Sequence, residues 1–276
     1  MSLENSSIGF IGAGNMANAL IRGLLARGVP PGHLMAADID SDKLQKLKED
    51  CGIQATNSKE IAAIADVVVL SVKPQVMKDA CLQIRPALEE RSCLMVSIAA
   101  GITCQHLQGW LGNQLALVRC MPNTPALVGK GATALHANAN VTAAQRELAE
   151  AILAAVGLAL WLDDEADMDA VTALSGSGPA YFFLMMEAMQ DVALEMGLDV
   201  DTARQLTYQT ALGAAELAGS SNATTAELRR QVTSPGGTTE QALNQFEEGG
   251  LRELVNKALL AAQRRSRELA RDFGDD

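Results

Sequence analysis

Aromatic side chains are scarce in this 276-residue chain, at 3% of the sequence, so a core has to be assembled from Ala, Leu, Val, Ile and 11 Met. With 48% hydrophobic residues there is ample apolar surface, and the packing is expected to be close and aliphatic. No apolar run approaches the roughly 18 residues of a membrane span. The first six residues are largely polar and an apolar run opens at Ile8, leaving no room for the apolar stretch of a cleavable leader. A cytoplasmic protein with no membrane partner is expected. Basic residues are outnumbered, 22 Lys and Arg against 33 Asp and Glu for a net charge of -11, which argues against nucleic acid because phosphate backbones are held by Lys and Arg. Five cysteines, odd in number and without C-x-x-C spacing, point to reduced buried thiols. His33, His106 and His136 share no ligand spacing, so no metal is expected.

What the chain does have is Ser7-Ile-Gly-Phe-Ile-Gly-Ala-Gly-Asn-Met-Ala17, a short apolar strand joined through a glycine turn to a helix. Gly12 suits the tight turn, Gly14 has no side chain to hold a pyrophosphate off the backbone, and Ala17 lets the helix sit close to the strand. The helix, predicted from Met16 to about Arg27, starts with unsatisfied N–H groups and the positive end of its dipole where phosphates would lie. A second strand, Leu34 to Asp38, ends in an acid 24 residues after Gly14, about where the ribose-reading carboxylate of a dinucleotide fold falls. Together these features favour a dinucleotide site over an ordinary strand-to-helix turn.

The alternation continues. A helix from Ser41, with Ser41 as its N-cap, is followed by a short strand near Ile53, a helix from Ser58 and the fully apolar run from Val67 to Val72. A helix over about Gln75 to Ile84, a strand from Cys93 to Ser97, a helix near Thr103 to Trp110 and a strand from Ala116 to Met121 complete a pattern that winds into a parallel sheet. Ligands of such sheets bind beyond the carboxyl ends of the strands. Those ends carry Lys73-Pro74, Ile98-Ala-Ala-Gly101 and Pro122-Asn-Thr-Pro125. Asn123 offers both donor and acceptor to a carboxamide or a ribose hydroxyl. Lys73 reads equally as a solvated lysine or as a cation beside a cofactor.

A strand-like Ala132 to Leu135, a helix from Thr142 to Val156 and an edge strand from Leu158 to Leu162 lead to the acid cluster Asp163-Asp-Glu165, read as a solvent-exposed boundary. A dinucleotide-binding domain over 1–164 and a helical domain over 165–276 are expected, in keeping with about 100–200 residues per domain. In the predicted helix from Pro179 to Met196 the charges Glu187, Asp191 and Glu195 fall on one narrow stripe. The other faces, with Phe182, Phe183, Leu184 and Met189 among them, need covering, and a partner subunit would do that. Further on, Thr238 and Gln241 have capping-box spacing at the end of Thr233-Ser-Pro-Gly-Gly-Thr-Thr239. Taken alone, this loop is either the start of a well-capped ordinary helix or, with its N–H groups directed outward, an anion site sized for a carboxylate.

These motifs resemble one family, pyrroline-5-carboxylate reductase. The resemblance is carried by Phe10-Ile-Gly-Ala-Gly-Asn-Met-Ala17, Ser71-Val-Lys-Pro74, Ser97-Ile-Ala-Ala-Gly101, Arg119-Cys-Met-Pro-Asn-Thr-Pro125, Ser175-Gly-Ser-Gly-Pro-Ala-Tyr181 and Val232-Thr-Ser-Pro-Gly-Gly-Thr-Thr239, in family order over nearly the whole chain. It implies an α/β Rossmann-type doubly wound sheet, an all-α C-terminal dimerisation domain, dimers assembled into a larger ring, and reduction of 1-pyrroline-5-carboxylate to L-proline. By the same resemblance Thr239 hydrogen-bonds the ring nitrogen and Ser234, Gly237 and Thr238 receive the carboxylate. Ser175 lies with Gly176 to Pro179 under the nicotinamide, close enough to touch the substrate, and Lys73, Ala99 and Asn123 line its other side. Gly12, Gly14, Asn15, Met16, Asp38, Val72 and Pro74 complete the implied cofactor contacts.

A cyclic imine is easily protonated and then electrophilic, so hydride delivery needs positioning more than a strong protein acid, and no paired carboxylates or Ser/His/Asp arrangement is visible. The cofactor stays open: the resemblance implies NADP(H), whereas Asp38-Ile-Asp40 leans toward NAD(H), with only Ser41 and Lys43 to answer a phosphate. Two rivals are a dehydrogenase acting on a 3-hydroxy acid and a non-catalytic nucleotide-binding regulator. The first usually needs a lysine base on the helix after the domain junction, and Met168 to Met196 contains none. The intact loop from Val232 to Thr239 argues against the second.

Overall fold

A computed structural model describes residues 3–88, 91–112 and 114–273. The first part of the chain alternates strand and helix: β1 (Ile8–Ile11), α1 (Asn15–Ala26), β2 (Leu34–Ala37), α2 (Ser41–Cys51), β3 (Gln54–Ala55), α3 (Ser58–Ile64), β4 (Val67–Leu70), α4 (Met77–Leu88), β5 (Leu94–Ser97), α5 (Cys104–Leu111), β6 (Ala116–Met121), β7 (Gly131–Ala137), α6 (Ala143–Ala154) and β8 (Gly157–Trp161). The sheet order is β3-β2-β1-β4-β5-β6-β7-β8, and every pairing from β3 through β6 is parallel. The order reverses between β1 and β4, which creates the crevice where doubly wound sheets take their ligands.

Burial explains why the central strands are apolar throughout. Val67 and Val69 enter one core with Phe10, Leu20 and Ile152, while Val68 and Leu70 enter the other with Ile61 and Met77. Successive residues of a strand point to opposite faces, and both faces here are covered by helices.

The parallel pattern ends at β7, which runs antiparallel to β6. A parallel crossover needs a dozen or more residues, usually with a helix. After Met121 the chain spends one 3₁₀ segment, Thr124–Val128, turns at the left-handed Gly129 and comes straight back along the β6 edge. The longer connection through α6 then lets β8 lie parallel to β7. The α2 cap also differs: Asp40, not Ser41, is the N-cap, its carboxylate accepting the Lys43 N–H, so Ser41 becomes the first helical residue.

Beyond β8 come α7 (Met168–Val171), a π-helical turn at Thr172–Gly176, α8 (Gly178–Glu195), α9 (Val200–Ser220), α10 (Thr225–Gln231), α11 (Thr238–Glu248) and α12 (Leu251–Asp272). The chain divides into two compact units, one running through Ser177 and resuming at Ala262, the other Gly178–Ala261. This division lies past the 164/165 junction expected from the acid cluster. Met168 is fully buried, and the Ser266 hydroxyl donates to Asp169 Oδ1 at 2.7 Å, holding the end of the last helix in the first unit.

In the second unit α8 buries only Gly178, leaving Phe182, Phe183 and Leu184 between 62% and 68% exposed. Among the described residues, no helix is long and apolar enough to cross a membrane.

Candidate cofactor and substrate sites

The glycine turn is held from the ends of both neighbouring strands, β2 and β4. Gly12 has φ +101°, a left-handed conformation that L side chains rarely adopt, and a Cβ there would meet the Ser71 carbonyl atoms at 2.7 Å. Its N–H donates to the Ala37 carbonyl at 2.8 Å. From β4, the Ser71 hydroxyl donates to the Gly12 carbonyl at 2.7 Å. From β2, Asp38 Oδ2 accepts the Ala13 N–H at 2.6 Å and its Oδ1 accepts the Asp40 N–H at 2.9 Å. Asp38, expected as the ribose reader, is thus also the strut of the turn.

Gly14 is the N-cap of α1, with no side chain capping the helix, and a Cβ there would meet nothing within 4 Å. The first N–H groups of α1 therefore face open space, and this cradle fits a pyrophosphate. Asn15 is exposed there, Met16 is half-buried, and Ala17 is fully buried against the sheet.

Next to this turn lies a cavity of about 610 Å³ whose lining includes Gly12, Asp38, Ile39, Asn57, Val72 and Asp79. Val72 is half-buried, Lys73 exposed and Pro74 half-buried where a 3₁₀ turn opens. Ala99 is buried at 6% exposure. Asn123 has both ends of its amide in use: Nδ2 donates to the Ser175 carbonyl at 3.0 Å and Oδ1 accepts the Ala132 N–H at 2.9 Å. It ties the loop after β6 to the π-helical turn, a feature often found at functional sites. The Ser175 hydroxyl donates to the Val171 carbonyl at 3.1 Å.

The loop ahead of α11 belongs to the second unit. Its N-cap is Gly237, in extended backbone, without a side-chain cap bond. The expected Thr238/Gln241 capping box is therefore absent, because Thr238 is already the first helical residue. Glu240 instead reaches back to accept the Gly236 N–H at 2.8 Å. Ser234 and Thr238 are exposed, whereas Thr239 is half-buried in the first turn. No side chain caps the first N–H groups of α11, at the positive pole of its dipole.

Comparison with known proteins decides what these loops belong to. The chain is 56% identical to pyrroline-5-carboxylate reductase of Pseudomonas aeruginosa, over 99% of this chain and 100% of the relative. The chain belongs to the pyrroline-5-carboxylate reductase family. A family model described as pyrroline-5-carboxylate reductase dimerisation matches residues 165–269, and one described as NADP oxidoreductase, coenzyme F420-dependent, matches residues 7–101. The solved reductase of Coxiella burnetii is 47% identical, with a TM-score of 0.92 over 96% of this chain and 98% of that one. The Plasmodium falciparum enzyme, solved with NADP bound, is 29% identical, with a TM-score of 0.86 over 98% and 100%. The doubly wound fold with a helical dimerisation segment is thereby the family's own.

Sequence reasoning passed over several residues beside the glycine turn and the sheet edge. Thr56, Asn57 and Val76 line the cavity, and their position just beyond β3 and β4 was the available signal. Glu165 was read with Asp163 and Asp164 as a solvent-exposed boundary. It is half-buried instead, accepting from buried Arg119 Nη1 and from the Cys104 N–H, each at 2.8 Å.

Cys104, His136 and Glu165 form the one group of metal-ligand atoms found among the described residues. It is a poor metal site. The Arg119 guanidinium already neutralises Glu165, and burial pushes the Cys104 thiol up to about 12, leaving it protonated at neutral pH. Burial likewise raises Cys81 to about 12, so neither thiol is a ready nucleophile. His106 is held below the usual imidazole range by burial and then by the nearby Arg119 charge.

Proposed function

We infer that this protein reduces 1-pyrroline-5-carboxylate to L-proline, the last step of proline biosynthesis. The single observation that carries the reading is family membership at 56% identity over nearly the full chain, and the open glycine turn and uncapped α11 agree with it. NAD(P)H supplies the hydride. The first N–H groups of α1 hold the pyrophosphate, and Gly12 and Gly14 keep side chains away from it. Lys73, Pro74, Ala99 and Asn123 bound the nicotinamide end, with Ser175 and its π-helical turn fixed by the Asn123 amide.

Ser234, Gly237 and Thr238 receive the substrate carboxylate at the positive pole of α11. The hydroxyl of Thr239 hydrogen-bonds the ring nitrogen and fixes which face of the imine is presented. The family models, matching 7–101 and 165–269, support a functional division near 164/165 into a cofactor-binding and a substrate-binding, dimerising domain. The exposed aromatic faces of α8 favour self-association into dimers, which we assign to a larger ring, and the acidic chain suits a cytoplasmic enzyme of small molecules.

The test is Thr239→Ala. Loss of one hydrogen bond used in the transition state lowers kcat/KM about five- to 150-fold, equivalent to about 1–3 kcal/mol, with little change in Tm. Wild-type kinetics in this variant would remove Thr239 from the substrate nitrogen.

A further inference from the structure

The cavity beside the glycine turn carries an inference about which nicotinamide dinucleotide this chain prefers. With a pyrophosphate at the start of α1, the adenosine half lies across the ends of β2 and β3, and the cavity occupies that place. Among the described residues lining it there is no Lys or Arg, while Asp38 and Asp79 are both carboxylates. Asp38 cannot swing aside for an anion, because its two oxygens hold the Ala13 and Asp40 N–H groups. Each carboxylate oxygen has a further lone pair, so it can still accept a ribose hydroxyl; a phosphate, dianionic and without a donor, gains nothing there.

At the neighbouring helix ends, the other places where a phosphate settles, a side-chain cap already holds one N–H of each helix. At α2 the carboxylate of Asp40 accepts the Lys43 N–H at 3.0 Å, and the Lys43 ammonium lies 3.5 Å from the same carboxylate. At α3 the side-chain oxygen of Asn57 accepts the Glu60 N–H at 3.0 Å, and the Thr56 hydroxyl donates to the Glu60 carboxylate. The Lys43 ammonium and the Thr56 hydroxyl are thus directed at acids of the protein itself. Ile39, the residue after Asp38, is fully exposed on the rim at 106%. It offers an apolar surface to an adenine ring and no charge to a phosphate.

We infer that this chain discriminates against the 2'-phosphate and binds NADH more tightly than NADPH. The inference rests on reading the glycine turn as a dinucleotide site, and it would set this chain apart from the NADP held in the Plasmodium falciparum structure.

The test is binding of each reduced nucleotide to the full-length protein by calorimetric titration, without substrate, at low and high salt. The expected result is a Kd for NADH at least about tenfold below that for NADPH at low salt, with the ratio shrinking as salt screens the repulsion. The double variant Ile39→Arg, Asp40→Ser, which keeps a cap-competent residue on α2, should move the ratio at least about tenfold toward NADPH. Wild-type protein binding NADPH as tightly as NADH, or a double variant with an unmoved ratio, overturns the inference while leaving the dinucleotide site standing. Failure to bind either nucleotide overturns both.

Discussion

At the scale of single residues, two side chains hold backbone in place, Asp38 and Asn123. Asn123 is the clearest. Its amide satisfies one N–H and one carbonyl on segments far apart in sequence. Asn123→Ala leaves both half-buried groups unpartnered and should cost about 1–3 kcal/mol of stability. Lys73→Ala, at an exposed position, should stay within about 0.5 kcal/mol. Chemical denaturation of the two variants checks this, and equal losses would contradict the strut. The amide's donor and acceptor capacity was legible in the sequence, and so was the need for glycine at 12. That Asn123 spends that capacity on the π-helical turn, and that Asp38 props the glycine turn, was not. Both depend on which loops the sheet brings side by side, which no local pattern records.

At the scale of elements, strands announced themselves where burial on both faces forces an unbroken apolar run, as at Val67–Leu70. Helix starts and strand direction were less legible. The α11 cap moved by one residue because the Gly237 carbonyl already accepts the Gln241 N–H at 3.2 Å, and β7 runs antiparallel because its connection is too short for a crossover. The stripe pattern of α8 was legible, and its apolar faces stand exposed in the single chain. Phe182→Glu with Phe183→Glu should therefore weaken self-association at least tenfold while leaving the first unit folded. Light scattering across a dilution series reads this, and a wild-type protein that is already a stable, active monomer would contradict it.

At the scale of the whole molecule, the features of the proposed site fall in both compact units: one carries the open glycine turn and the cavity beside it, the other α11 and Thr239. The sequence shows no paired-carboxylate arrangement, and the thiols of Cys81 and Cys104 are kept protonated by burial. That poverty suits a protonated cyclic imine, which asks for position and charge stabilisation. The most direct measurement is oxidation of NADH and of NADPH by the purified protein with 1-pyrroline-5-carboxylate, followed by loss of reduced-nicotinamide absorbance and by identification of the product. The account predicts substrate-dependent oxidation with L-proline formed in equal amount. No oxidation of either cofactor by correctly folded, nucleotide-binding protein would contradict it.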